Sequence, residues 1–209
     1  MKILALSDQV SKAIYSTQIC ERFGDVDLVL SCGDLPYSYL EFVATMLDVP
    51  CLFVHGNHDA PEYTSGGQVL TSPGGWTDID GRSVRVKGIS VAGLEGSMRY
   101  KPRAPYQYTE QEMLFKALRL VPFLAMNRLR YGQYVDVLIT HAPPLGIHDG
   151  KDWPHRGFRI FRDLITRFRP RYLLHGHKHL YGPETWRTRH QQTEVINVYP
   201  FRIIEFDPS

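Results

Sequence analysis

Short apolar runs alternate along the chain with longer stretches whose apolar residues recur every three or four positions. Val, Ile and Leu dominate the short runs, which is typical of buried strands, whereas the longer stretches have the spacing of amphipathic helices. The short runs predict strands at Lys2–Ser7, Asp27–Ser31, Pro50–Val54, Val135–Thr140 and Tyr172–Leu174. The longer stretches predict helices at Ser11–Phe23, Tyr37–Leu47, Thr109–Arg130 and near Phe158–Phe168.

Two features refine this alternation. Pro122 lies inside the longest predicted helix, where its ring predicts a kink or a break. Two pairs of short apolar runs predict hairpins, the second of them closing the chain around a proline. These pairs are Ser83–Lys87 with Ile89–Gly93, and Glu194–Tyr199 with Arg202–Phe206 around Pro200. Strands that alternate with helices and also form hairpins predict an α/β fold with mixed sheets.

Composition narrows the function classes without naming one. The chain has 209 residues, of which 43% are hydrophobic and 22% charged, so a disordered or fibrous protein is excluded. A net charge of +2 lacks the basic excess of a typical nucleic-acid-binding protein. No linker, repeat or low-complexity tract interrupts the chain, so residues 1–209 are interpreted as one domain.

Cysteine usage and the first residues predict a cytoplasmic protein. The three cysteines are an odd number and form no CxxC pair, which favours free thiols in a reducing compartment. The apolar run at the start of the chain ends at Asp8, too early for a secretory signal. No window approaches the ~20 apolar residues of a membrane-spanning helix.

Polar residues follow five of the predicted strands, at the point where each strand ends. The carboxyl edge of an open α/β sheet is where ligands bind, so these residues are expected to converge. They comprise Asp8, Gly33-Asp34, Gly56-Asn57-His58-Asp59, His141 and His175-Gly176-His177-Lys178-His179.

Mixed oxygen and nitrogen ligands of this kind suit the borderline divalent ions Mn, Fe, Zn, Co and Ni, rather than Mg or Ca. About six ligands exceed the needs of one tetrahedral ion, so two ions that share a bridging carboxylate are predicted. Two such ions, ~3.5–4 Å apart, activate a hydroxide nucleophile and hold a phosphate for in-line attack.

The ordered motif set resembles the calcineurin-like metallophosphoesterase family, whose pattern is DxH, GD, GNH(D/E), H and GHxH. The resemblance runs from residue 8 to residue 179. It implies a four-layer α/β/β/α sandwich and hydrolysis of a phosphodiester or a phosphomonoester. It also implies two divalent ions, with manganese favoured, and a small phosphoester or nucleotide-like substrate rather than nucleic acid or a membrane.

The same resemblance assigns roles to individual residues. The ligands of one ion would be Asp8, Asp34 and His179, and those of the other would be Asp34, Asn57, His141 and His177. His58 would face the phosphate as a general acid or an electrostatic stabiliser, and Asp59 would orient its ring. Asn57 and His58 would also contact the substrate.

One position departs from the family pattern. The DxH motif is Asp8-Gln9-Val10, so Val10 replaces a histidine ligand and the ion beside Asp8 is expected to bind weakly. A compensating ligand is sought among nearby residues of the loop after His141, namely His148, Asp149, Asp152 and His155.

Two further residues are candidate substrate contacts. Arg99 lies in a basic and aromatic segment after a strand, where a guanidinium can pair bidentately with a phosphate. His155 lies in a long polar loop beside a motif strand. The alternative for each is a solvated loop residue.

Two rival functions remain open at this point. The first is a non-catalytic metal-binding or scaffold protein on the same fold, like the retromer subunit, which resembles this family but has lost site residues. The missing ligand at Val10 favours this alternative. The second is a nuclease, which the small size and near-neutral charge disfavour.

Overall fold

A computed structural model of the chain describes residues 1–63 and 66–206. Two sheets pack face to face and helices cover the outer face of each. In the described residues the strands are β1 (Lys2–Leu6), β2 (Leu28–Ser31), β3 (Cys51–Phe53), β4 (Glu62–Tyr63), β5 (Val69–Leu70), β6 (Thr77–Asp78), β7 (Ser83–Val86), β8 (Ile89–Leu94), β9 (Ser97–Met98), β10 (Gln107–Tyr108), β11 (Val137–Thr140), β12 (Tyr172–His175), β13 (Arg187–His190), β14 (Thr193–Asn197) and β15 (Phe201–Glu205). The helices are α1 (Ile19–Phe23), α2 (Tyr37–Leu47), α3 (Glu110–Tyr131) and α4 (Arg159–Phe168).

Both large sheets are mixed. The first has the order β15-β1-β2-β3-β6, with β15 antiparallel to its neighbour and the other pairs parallel. The second has the order β13-β14-β12-β11-β8-β7, and its two outer strands are the antiparallel ones. Parallel inner strands end at the same edge of a sheet, which brings the loops that follow them together.

The apolar residues alternate between two cores, and this alternation produces the layers. Ile3 and Ala5 of β1 face the second sheet, whereas Leu4 and Leu6 face α1 and α2. In β12, Leu173 faces the helix α3–α4 layer while its neighbours lie between the sheets. The mixed α/β architecture predicted from the sequence is confirmed as a four-layer α/β/β/α arrangement.

Helix α3 continues through Pro122 without a break. Thr109 and Glu112 form a reciprocal capping box at its start, and Gly132 ends it in a left-handed conformation. Pro122 is on the exposed side of the helix, where water can hydrogen bond the carbonyl that the proline leaves unpaired. None of the helices within the described residues is long and apolar enough to cross a bilayer.

Two local predictions were wrong. Helix α1 begins at Ile19 rather than Ser11, because turns precede it in which the hydroxyls of Ser11 and Ser16 accept bonds from backbone amides two residues later. The closing hairpin does not form: β14 pairs with β12 and β13, whereas β15 pairs with β1 in the other sheet. The chain crosses between the sheets at Pro200, whose carbonyl accepts the amide of Ser7.

Candidate metal centre

Loops at the carboxyl ends of five strands meet at one edge of the sandwich. Each loop contributes a polar side chain within a few residues of its strand. Asp8 follows β1, Asp34 follows β2, Asn57 follows β3, His141 follows β11 and His177 follows β12. This is the convergence that the strand pattern predicts.

Sharp backbone turns place these side chains. Asp8, Asp34 and His177 all adopt left-handed backbone conformations, with φ of 63°, 58° and 66°. Gly33 has a φ of 92°, and a Cβ on it would lie 2.2 Å from the amide nitrogen of Gly56. The glycine therefore permits the close approach of the loops after β2 and β3.

Three potential ligand atoms lie close to a fourth, the Nε2 atom of His141. Its Nε2 atom lies 3.0 Å from Oδ1 of Asn57, 3.3 Å from Oδ2 of Asp34 and 3.1 Å from Nδ1 of His177. His141 is fully buried, and the Asn57 and His177 residues are buried as well. The ligand atoms of Asp34, His141 and His177 all lie within 4.8 Å of one another.

The outer ring nitrogens fix the orientation of both histidines. Nδ1 of His141 lies 2.7 Å from the carbonyl oxygen of Cys32, and Nε2 of His177 lies 2.8 Å from that of Pro154. Each carbonyl accepts a ring N–H, so the facing nitrogens are the ones that can present lone pairs. Lone pairs on nitrogen and oxygen atoms converge here, and this donor set fits a borderline divalent ion.

The pKa values of these side chains show how the cluster balances its charges without an ion. Burial lowers the pKa of His141, but the Asp34 carboxylate that faces it has the opposite effect and the pKa is raised to about 9. Burial raises the pKa of Asp34, yet attraction to His141 outweighs it and brings the pKa to about 2. Burial and the charge of His141 lower the pKa of His177 to about 4. A proton on His141 thus balances the Asp34 charge, and a metal ion would replace that proton.

Asp8 and His179 form a second, looser group next to this cluster. The Asp8 side chain is 1% exposed and accepts the amide of His177 at 2.9 and 3.1 Å, while Nε2 of His179 lies 3.8 Å from it. Tyr199 stacks on the His179 ring with the ring centres 4.6 Å apart. Val10 is 36% exposed and offers no ligand atom, so this group has fewer protein ligands than the family pattern provides.

His58 and Asp59 take different places. His58 is exposed, its amide donates to Oδ1 of Asp34 at 2.7 Å, and its side chain lines the cavity described below. The Asp59 carboxylate accepts the amides of Gly56 at 2.8 Å and Asp34 at 3.2 Å, so it joins the loops after β2 and β3. Burial and the Asp34 charge raise its pKa to about 6. No hydrogen bond joins Asp59 to the His58 ring among the described residues.

An open cavity of about 690 Å³ exposes part of the centre. Asp152 and His155 contribute to its wall, and the Nδ1 atom of His155 lies 2.5 Å from Oδ2 of Asp152. The His155 ring also lies near His177, with the ring centres 5.3 Å apart. The lining residues are Asp8, Asp34, His58, Gly150, Asp152, His155, His177, Lys178, His179, Tyr181 and Glu184.

The structure places Arg99 elsewhere. Its guanidinium donates to the carbonyl of Gln107 and pairs with Glu112, and it lines a different depression. The neighbouring Tyr100 reaches the centre instead, because its hydroxyl accepts the amide group of Asn57 at 3.1 Å. The only signal for Tyr100 in the sequence is the aromatic character of the segment around Arg99.

Two of the residues considered as replacements for a ligand at position 10 are engaged outside the cavity. Nδ1 of His148 lies 3.0 Å from Nε2 of His175, and its Nε2 lies 2.8 Å from the Thr188 hydroxyl. The Asp149 carboxylate accepts the amide of Gly157.

Comparisons with known proteins agree with this architecture. The sequence model of the calcineurin-like phosphoesterases matches residues 1–181. An uncharacterised protein of Haemophilus influenzae is 27% identical over 169 residues, 72% of this chain and 66% of that protein. The uncharacterised protein MJ1162 of Methanocaldococcus jannaschii is 27% identical over 86% of this chain and 80% of its own. The chain therefore spans slightly less than two thirds of the first relative.

A solved structure has the same fold. The crystal structure of TT1561 from Thermus thermophilus superposes with a TM-score of 0.61 at 17% identity, over 94% of this chain and 88% of that one.

Proposed function

The chain belongs to the calcineurin-like phosphoesterase family, and on this basis we propose that it is a metal-dependent phosphoesterase that hydrolyses a phosphodiester or a phosphomonoester. The observation that carries the proposal is the convergence of ligand atoms from Asp34, Asn57, His141 and His177 beside an open cavity, which Asp34 and His177 line. The cavity volume of about 690 Å³ suits a small phosphoester, including one of nucleotide size.

Two divalent ions, manganese by preference, are the proposed cofactors. The first set of ligands is Asp34, Asn57, His141 and His177, and the second is Asp8, Asp34 and His179. When bound, such ions lower the pKa of water and neutralise charge that develops on a phosphate. The second set has no histidine at position 10, so we propose that it binds its ion more weakly.

The chain's own side chains would complete the reaction. His58 lines the cavity next to Asp34, where its ring can protonate the leaving oxygen or stabilise its charge. The Asp59 carboxylate accepts the backbone amides of Gly56 and Asp34 and so fixes the two loops that carry His58 and Asp34. The His155 ring, oriented by Asp152, would donate a hydrogen bond to a phosphate oxygen in the same cavity.

The test starts from metal-free protein titrated with Mn²⁺. Hydrolysis of a bis-aryl phosphodiester and of the matching aryl phosphomonoester is measured together with bound metal. We expect turnover that depends on Mn²⁺, and its loss in Asp34→Asn, which keeps the side-chain size but removes the charge that both ions would share. Asp48→Asn is the matched control because Asp48 is also a left-handed aspartate but lies exposed at the end of α2.

The outcomes separate the candidate functions. Turnover in the wild type and in Asp48→Asn, absent from Asp34→Asn, supports the enzyme, and the diester-to-monoester ratio gives its substrate class. Bound metal without turnover on any ester, repeated with Fe, Co, Ni and Zn, would favour a non-catalytic metal-binding protein. Failure to bind any of these ions would contradict both.

A further inference from the structure

Helix α3 is apolar on two opposite faces. Its inner face, with Met113, Ala117, Leu120 and Leu124, is buried in the core beneath α3 and α4. Its outer face carries apolar side chains that face solvent, a pattern expected only of a helix that is covered on all sides. We define the outer stripe as Phe115, Leu118, Pro122, Met126 and Leu129, and its four residues other than the proline are 64%, 54%, 46% and 81% exposed.

The residues of the outer stripe have the same spacing in both directions along the helix. Successive members are separated by three, four, four and three positions, with Pro122 at the centre. When two copies of a helix pack antiparallel on a twofold axis, residues equidistant from the centre face each other. Phe115 would then face Leu129 of the second copy, and Leu118 would face Met126. We propose that α3 pairs in this way with α3 of a second copy of this chain, on a twofold axis at Pro122.

Charges on one flank of the stripe agree with that orientation. Glu112 and Arg130 are eighteen residues apart, which is about five helical turns, so they lie on the same side of α3 at opposite ends. An antiparallel twofold axis keeps each flank on its own side of the contact. It places Glu112 of one copy, which also pairs with Arg99 of its own chain, within about one turn of Arg130 of the other. In a parallel pair the twofold axis runs along the helices and exchanges the flanks, so neither residue would meet an opposite charge on the other copy.

The size and charge of this face favour a second copy over a lipid surface. The 22 residues of α3 form a helix about 33 Å long. Leu114 and Phe123, which are 39% and 45% exposed, widen the stripe on either side. Helices that lie on membranes combine an apolar face with an opposite polar face that is rich in basic residues. Helix α3 carries Lys116, Arg119, Arg128 and Arg130, but its face opposite the stripe is the buried apolar one, and its first turn is acidic, with Glu110 and Glu112. An apolar patch of this extent on a surface marks an association site.

Sedimentation velocity over a hundredfold range of protein concentration tests the pairing. We expect the wild type to sediment as a single species with twice the mass of the monomer. Leu118→Glu or Met126→Lys alone should raise the dimer dissociation constant at least about a hundredfold, because each leaves two unpaired charges in an apolar contact. The double variant Leu118→Glu/Met126→Lys should restore the dimer, since each Glu then faces the Lys of the other copy. Val69→Glu, at a 52% exposed apolar residue of β5, is the matched control.

Each other outcome would overturn the proposal. These outcomes are a monomeric wild type at all concentrations, a dimer that survives Leu118→Glu, and a double variant that stays monomeric, which indicates another register or a parallel pair. A wild type that is monomeric in solution but floats with anionic phospholipid vesicles, and loses this in Leu118→Glu, would assign the stripe to a lipid surface. Thermal unfolding of each variant confirms that the monomer is folded.

Discussion

Nε2 of His141 and Nδ1 of His177 face each other at 3.1 Å, while the other nitrogen of each ring is bonded to a backbone carbonyl. Two lone pairs at this distance repel unless a proton or a cation lies between the rings. With a pKa of about 9, His141 supplies that proton at neutral pH. The pair is therefore a site at which a proton and the proposed metal ion would compete.

Metal affinity should rise with pH for this reason. Below the His141 pKa of about 9 the ion that His141 would bind must displace one proton, whereas Asp34, with a pKa of about 2, and His177, with a pKa of about 4, are already deprotonated. Between pH 6 and 8 we expect the Mn²⁺ affinity to rise about tenfold per pH unit. Calorimetry in buffers of different ionisation enthalpy should detect one proton released when the ion bound by His141 enters. An affinity that does not change over this range would contradict the competition.

Restoring the family histidine should strengthen the weaker ion site. We expect Val10→His to add a ligand beside Asp8 and His179 and to raise the affinity for the second ion at least about tenfold. Metal content after gel filtration, measured by mass spectrometry, should rise toward two ions per chain. Val10→Ala is the control and should leave the stoichiometry unchanged. No gain in Val10→His would place position 10 away from the ion.

Turnover and metal binding should be separable by mutation. His58→Ala is expected to lower kcat by about 10²–10⁴-fold while the protein keeps its metal, because His58 lines the cavity outside the ligand cluster. His141→Ala should lose both turnover and metal. The two quantities are measured on the same preparations, and a loss of bound metal in His58→Ala would argue against a role for this ring in proton transfer.

Acid should destabilise the metal-free protein through the buried pair His148 and His175. Burial, with repulsion from a nearby positive charge, lowers the pKa of His148 to about 4 and that of His175 to about 3. Unfolded histidines titrate near 6.5, so between about pH 6.5 and pH 4 the unfolded chain binds protons that the folded chain does not. The free energy of unfolding should therefore fall over that range.

Urea denaturation at pH 6.5 and pH 4.5, in the presence of a chelator, measures this change. His148→Gln removes one member of the pair and keeps an amide that can bond the Thr188 hydroxyl. The decrease in stability between the two pH values should be smaller in this variant. An equal decrease in both proteins would contradict the assignment.

The residues of the metal centre could be predicted because their placement follows from strand direction. Asp34 and His141 end parallel inner strands, and such strands all end at one edge whatever their order. The groups that orient the ligands could not be predicted. The carbonyls of Cys32 and Pro154 hold the two rings, and a carbonyl leaves no mark in the sequence because every residue has one.

The closing hairpin and the position of Arg99 depend on contacts that the local pattern does not show. The last strand looked like one half of a hairpin because its nearest neighbour in sequence is also apolar, yet β15 pairs with β1, from which it is separated by almost the whole chain. Arg99 looked like a phosphate ligand because its charge was considered without Glu112, which pairs with it from the start of α3. Pairing between distant segments decides both cases.

The left-handed backbone at Asp8, Asp34 and His177 sets function against stability. Each of these residues costs on the order of 1 kcal/mol relative to glycine in that conformation, with the aspartates penalised least. The positions that carry the proposed metal ligands are therefore the ones where the fold itself would prefer a residue without a side chain. Such a chain can gain stability by giving up its chemistry, and keeping the ligands requires selection for what they do.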